Sequence, residues 1–286
     1  MKNSQTDLRL IRRTEQRRDA FVGKYSRAFN GVINSQIDEL KPYLGDIALG
    51  ILQPSVMVNK LFTPESYERT YQRLYLDVGG TAAKYARTDL TPQKSYNIRS
   101  TKQEDDPGAL FTALAPEAFD EIPDSILAGV QRFLMTYGGS RIKTINDTTK
   151  KLALRVIQDI LAQGIEEGLS ADEVGRLLER NVPVRMRAYN FRGGTIARTE
   201  ILSAYSLGEM QQVQDLDLGI RKYWMARLDG RERQTHGDAY LNYRNNPINV
   251  QEDFIVGGEF MQRPGDPNGG AAEVINCRCV LGYKRG

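Results

Sequence analysis

The chain has 286 residues, 40% hydrophobic and 26% charged, which is ordinary for a soluble protein and leaves room for one large domain or two modest ones. A net charge of +3 does not by itself imply nucleic-acid binding, so only the placement of the charges can matter. Two cysteines one residue apart, an N-terminus that leads into charge rather than an apolar run, and a most apolar stretch (47–58) broken by Pro54 point away from disulfide staples, a secretory signal and a membrane helix; the expectation is a soluble protein working in a reducing compartment.

Residues 4–53 read as helix, because Leu8, Ile11, Phe21, Tyr25, Phe29, Ile33, Ile37, Leu40 and Leu44 recur at mostly helical spacing. The start of this helix is basic, and Arg12, Arg13, Arg17 and Arg18 form either a solvated face or an arm that docks on a partner or on phosphate. Pro54 interrupts, and Thr63-Pro64-Glu65-Ser66 restarts a helix that carries Tyr67, Tyr71 and Tyr75, with Gly79-Gly80 as a kink or an end. From about 88 to 124 prolines and acids accumulate, which marks a loop-rich connector. A further helix spans 125–138 and ends at Gly138-Gly139; Asp147 or Thr148 then caps a long helix running to Gly168. Ser170 and Glu173 make a capping box for a short helix. An arginine strip follows, with Arg180, Arg185, Arg187 and Arg192 as candidate contacts to phosphate or to an acidic partner, and then a helix from about 195 to 215.

The period then changes to alternation. Residues 220–228 and 274–283 read as strands, despite Lys222 on the apolar side, with a glycine- and proline-rich loop at 257–270 between them. The fold class is therefore α+β and predominantly helical, with long helices in the N-terminal half and a small C-terminal module holding a short β-sheet. The domain boundary is expected at the connector, giving a helical region over 1–124 and a second unit over 125–286.

The single His, both Cys and the single Trp all fall in the last third of the chain. His236, Cys277 and Cys279 are the only soft ligands, one short of the four that structural zinc usually takes, so Asp229, Asp238 or a water would have to complete a site. Buried thiols in a small core and a redox thiol are the other readings. A Cys277–Cys279 bond is not expected, since strand neighbours two apart lie about 6.6 Å apart on one face. Arg198 and Glu200 leave one helix in different directions, so each anchors a different neighbour. No catalytic residues are assigned, because no complete constellation of nucleophile and base is present.

The ordered run Gly168-Leu169-Ser170, Ala197-Arg198-Thr199-Glu200, Tyr223-Trp224, Asp229–Arg231–Arg233–His236, Pro264-Gly265-Asp266-Pro267 and Asn276-Cys277-Arg278-Cys279 resembles the phage Mu F-like head-morphogenesis family over about residues 140–286. The resemblance implies a minor capsid protein in the virion, placed at the portal vertex inside the head and present in the host cytoplasm during assembly. It implies the portal protein as partner, with the major capsid or scaffold protein next. It also implies a part in DNA packaging or ejection; non-specific contact with double-stranded DNA is what the two arginine clusters would allow, and no membrane partner is expected. Arg198, Thr199, Glu200, Trp224, Asp229, Asn276 and Arg278 are its structural motif residues. Many members carry a Cys-x-x-Cys after the tryptophan strand as part of a zinc site; here that loop holds no cysteine, so no cofactor is expected beyond a zinc on the three remaining ligands. Some proteins of this fold name are associated with ADP-ribosyltransferase domains, but their Glu-x-Glu does not occur here.

Overall fold

Ser4 starts the first helix by accepting the N–H of Asp7 at 3.1 Å on its hydroxyl. In the computed structural model, which describes residues 3–90, 123–189, 191–216 and 218–285, helix α1 then runs from Gln5 to Leu40. It stops earlier than the sequence pattern suggests. Pro42 has no N–H to donate, and the chain passes through a tight 3-10 turn, Lys41–Tyr43, into a short α2, Leu44–Ala48. Pro54 opens α3, Pro54–Leu61, at the position where a missing N–H costs nothing.

Helix α4, Glu65–Leu90, passes through Gly79-Gly80 without ending. Those glycines serve a crossing instead: a Cβ on Gly208 would lie 1.9 Å from the carbonyl oxygen of Gly79, so two backbones meet there directly. The acidic connector expected at 88–124 lies outside the described residues except at its edges. Helix α5, Asp124–Phe133, continues through a π-helical turn, Leu134–Gly138, into α6, Gly139–Glu166. Gly138-Gly139 therefore does not end a helix, and neither Asp147 nor Thr148 is a cap. Asp147 pairs with Lys143 one turn back, and Thr148 donates to the carbonyl oxygen of Ile145 at 2.9 Å. The capping box at Ser170 and Glu173 is formed and opens α7, Ala171–Ala188, which is longer than expected and carries Pro183 inside it. Helix α8, Phe191–Leu216, is buried nearly all round, the mark of a central core helix.

The C-terminal module follows: β1 (Ile220–Met225), α9 (Gln234–Asn245), β2 (Ile248–Asn249), β3 (Phe254–Val256), β4 (Glu259–Met261), α10 (Ala271–Val274) and β5 (Val280–Arg285). Sheet order is β2-β1-β5, antiparallel throughout, with Ile220 opposite Arg285 and Met225 opposite Val280; β3 and β4 form a separate hairpin. The last strand is shorter than expected. Residues 271–274 wind into a helical turn, and Asn276 takes a left-handed φ of 53°, so strand pairing begins only at Val280. Helix α9 has no counterpart in the sequence reading.

Two hydrophobic cores result. One joins α1, α4 and α6 to α8 and contains Tyr71, Tyr75 and Ile157; the other lies in the module around Trp224 and Phe254. Helices α1 and α8 feed both, through Ile11 and through Leu202, Met210 and Val213. The fold is α+β and predominantly helical, as the sequence implies.

Candidate functional site

Glu200 and Arg198 sit on opposite sides of α8: Glu200 faces the helical core, and Arg198 is exposed toward the C-terminal module. The Glu200 carboxylate is buried, accepts the hydroxyls of Tyr71 and Tyr75 at 2.9 Å each, and takes Arg141 Nη2 at 2.7 Å. Burial beside that carboxylate holds both phenols above their ordinary pKa, so they remain donors. Burial opposes the Arg141 charge, but Glu200 outweighs it and the guanidinium stays charged. One carboxylate thereby fastens α4 and α6 onto α8.

Arg198 points the other way. Its Nε donates to Asn276 Oδ1 at 3.2 Å, and the Asn276 N–H donates to Thr199 Oγ1 at 3.2 Å. Asparagine suits this position because it tolerates the left-handed backbone while its side chain stays available. Arg278 reaches Asp229 with both Nη groups, at 2.8 and 2.7 Å, and the carbonyl oxygens of Arg278 and Cys279 accept Arg18 from α1 at 3.2 and 3.1 Å. Arg278 first, then Arg231, pulls the Asp229 carboxyl well below the usual range. The motif residues Arg198, Thr199, Asp229, Asn276 and Arg278 thus form one clasp between α8, the loop after β1 and the approach to β5.

The same approach segment delivers both thiols to His236. Its Nδ1 lies 3.2 Å from Cys279 Sγ and 3.6 Å from Cys277 Sγ, all three side chains buried and the ligand atoms within 4.8 Å of one another. Both cysteines are free thiols. On the far side of the ring, Nε2 is 2.8 Å from Glu273 Oε2, at an angle too oblique for a straight hydrogen bond; Thr235 Oγ1 donates to the same oxygen at 2.8 Å. Trp224 packs edge-on against the imidazole, with centroids 5.4 Å apart. Hydrogen bonds with Cys279 first, and His236 next, hold the Cys277 thiol well below its usual pKa, whereas burial pushes Cys279 up.

This donor set fits a soft divalent ion. Two sulfurs and one ring nitrogen converge from one side, and the second nitrogen faces a carboxylate, the arrangement that orients metal-bound histidines. Among the described residues no fourth His, Cys, Asp or Glu joins them. Neither expected completer is in the cluster: Asp229 is occupied by arginines, and Asp238 accepts Gln234 Nε2 at 2.9 Å.

The basic residues separate into two kinds. Arg13 and Arg17 pair with Asp89 at 3.0 and 2.9 Å, and Arg17 lies over the Tyr85 ring. Arg18 is buried. Arg185 donates to Gln163 at 3.0 Å, and Arg192 to Thr149 and the carbonyl oxygen of Ile145 at 3.0 and 2.9 Å. Arg12, Arg180 and Arg187 are exposed, with no ion pair among the described residues. The sequence reading missed Arg141, Tyr71 and Tyr75 as partners of Glu200, and Glu273 behind His236. It also missed Arg18 as an inward donor, although 7, 11, 14 and 18 lie on one helical stripe, and Asp7, Ile11, Thr14 and Arg18 are all buried.

A long-helix body carrying a small α+β module, closed by a side-chain clasp rather than by disulfides, is the class of protein these features define. Residues 155–282 match the family described as Phage Mu protein F like protein, a stretch that holds the whole clasp, so the resemblance carried by the sequence motifs is a match to a phage protein family over that region. The chain is also 28% identical over 133 residues, 46% of its length, to the NAD(+)--arginine ADP-ribosyltransferase EFV of Enterococcus faecalis (strain ATCC 700802 / V583). The matched stretch covers 25% of that protein, so the chain spans about a quarter of the relative's length. No solved structure matches the chain. Among the described residues no helix is long and apolar enough to cross a membrane.

Proposed function

We propose that the protein is a minor head protein of a tailed phage that acts in capsid assembly, docks at the portal vertex inside the head and aids DNA packaging or ejection. The observation that carries this reading is the family match over 155–282, which takes in α7, α8 and nearly all of the module, with motif residues that are spent on holding structure together. The portal ring is the first partner, with the major capsid or scaffold protein next. Mass spectrometry of purified virions, with cross-linking to the portal, tests it. The chain is expected in particles at low copy and cross-linked to portal; particles that lack it, or heads that assemble and package normally without its gene, overturn the reading.

A second reading is non-specific contact with packaged DNA, supported by the exposed Arg12, Arg180 and Arg187. Binding to duplex DNA should then weaken steeply with salt, and no binding at low salt removes it. The transferase activity in the relative's name is not carried over, because the match covers a quarter of that protein.

Within the module, His236, Cys277 and Cys279 are proposed to hold one zinc ion, whose contribution would be to cross-link α9 to the approach to β5. Metal analysis of the purified protein should find about one zinc per chain, released with a fall in melting temperature on chelation. A metal-free sample with the same melting temperature would sink this part alone.

A further inference from the structure

Beside Cys277, a cleft of about 380 Å³ opens between α1, α8 and the C-terminal module. Its walls carry five arginines, Arg18, Arg198, Arg227, Arg231 and Arg278, against two carboxylates, Glu15 and Asp19. Asp229 lies at the rim and is shared among three of the five: Arg278 holds both oxygens, with Arg231 and Arg227 at 3.2 and 3.3 Å. Glu15 takes Arg227 Nη1 at 3.0 Å. Even with Asp229 counted, guanidinium groups outnumber carboxylates here.

The surplus sits on particular atoms. Arg198 spends only Nε, on Asn276 Oδ1, and among the described residues no carboxylate pairs with it. Asn276, which accepts through Oδ1, keeps its side-chain amide N–H groups beside that guanidinium. Arg231 is 73% exposed and reaches only the crowded Asp229. Arg18 is 7% exposed and donates to two main-chain carbonyls, with no carboxylate in ion-pair contact; the Glu209 carboxyl that shares its field is pushed up by burial to about 8 and offers little counter-charge at neutral pH. A buried guanidinium without a counter-charge is costly unless an anion stands near it. The planar fork of arginine matches tetrahedral oxyanions in pairs of parallel hydrogen bonds, which favours phosphate. The cleft's volume is at the small end of ligand pockets, about 300–1,000 Å³, so it suits a phosphate-sized group better than a folded segment.

We propose that this cleft binds a phosphate group, held by the free Nη groups of Arg198 and the amide of Asn276, closed over by Arg231 and favoured from below by the Arg18 charge. The group belongs either to a nucleic-acid backbone or to a free phosphate ester. The site is separate from Arg12, Arg180 and Arg187, and it does not rest on the head-protein reading.

The test uses the full chain with Arg198→Gln, Arg231→Ala and, as a control on α5 away from the cleft, Arg132→Ala. Inorganic phosphate is titrated at low salt while the Arg198 Nε–H and Asn276 side-chain amide signals are followed by NMR. A short fluorescein-labelled duplex is followed in parallel by anisotropy. Phosphate should shift both signals in the wild type. R198Q and R231A should each weaken phosphate binding about fivefold or more, with R132A unchanged. Loss of duplex affinity in the same two variants, with a salt slope reduced by about one each, assigns the phosphate to nucleic acid; loss for phosphate with duplex binding untouched assigns it to a free ester. R231A keeps the test decisive if R198Q loosens the clasp, because Asp229 retains two other arginines. No shift with millimolar phosphate, or equal affinity in wild type and R231A, overturns the proposal.

Discussion

The two cores hold their polar groups by opposite means. In the helical body the helices satisfy most of their own main chain, and the Glu200 carboxylate set deep within it is matched side chain to side chain by Arg141, Tyr71 and Tyr75. In the C-terminal module strands are short and connections long, so many carbonyls have no strand or helix partner. Cations fill the gap: Arg18 on Arg278 and Cys279, Lys222 on Gln262 at 2.7 Å, Arg233 on Ile275 at 2.6 Å and Lys284 on Arg244 at 2.8 Å. Buried main-chain acceptors must be paired. A module this poor in regular structure pairs them with long basic side chains. Its arginines and lysines are therefore in part structural parts, which is why counting them is a poor guide to what the surface binds.

Breaking the helical side should cost most. Glu200→Ala strands a buried guanidinium and two buried hydroxyls and should destabilise by about 3–5 kcal/mol. Because α8 feeds both cores, the far-UV circular dichroism of the helices and the fluorescence of Trp224, the only tryptophan, should shift together on denaturation; an unchanged midpoint would contradict the network. Gly208→Ala pushes a methyl group into the Gly79 carbonyl oxygen and should cost roughly 1–3 kcal/mol by overpacking, again in both signals.

The module side should give smaller and more local effects. Cys277→Ser with Cys279→Ser should cost about 1–3 kcal/mol. The loss should appear as Trp224 fluorescence melting ahead of the helical signal, and coincident, unshifted melting would show that the thiols are not staples. Least of all is expected from Asp229→Asn, since the carboxylate is partly exposed and screened. Its folded pKa lies below the unfolded value of 3.8, so its stabilisation is present above that value and fades as the pH falls through the folded pKa. The wild type should therefore lose stability below about pH 4 more steeply than the variant. Parallel acid curves would remove Asp229 from the clasp.

How legible all this is in the sequence differs between the regions for the same reason. Local rules suffice where the contacts are local: the Ser170–Glu173 box, the start at Ser4 and the strand at Ile220 are read from spacing alone. They fail at the joints between helices. Gly138-Gly139 looks like a stop, yet a π-helical turn carries the chain through. Helix α9 escapes because its inner face is His236, Ala239, Tyr240 and Tyr243, a stripe of aromatic and small residues that hydrophobic counting undervalues. The clasp is named residue by residue in the sequence but not assembled, because its ties to α1 span 260 and 261 positions and no local pattern encodes them. Lys222 reads as a blemish on a strand and is in fact fully buried, with burial lowering its pKa to about 8.

Helix α1 has one further consequence, for the order in which the protein can be completed. Asp7, in its first turn, accepts from Tyr223, Tyr240 and Arg244, partners that lie 216, 233 and 237 positions later. Burial alone would raise this carboxyl, and the bonds from Arg244, Tyr240 and Ser4 bring it below its usual value. At a synthesis rate of about 5–20 residues per second, the first turn of the first helix waits roughly ten to fifty seconds for the groups that seal it. Until then its carboxylate is hydrated and Ile11, one turn on, lacks the module core that covers it. The beginning of the chain is thus among the last parts to reach its final state, and a nascent chain released early would leave that end open.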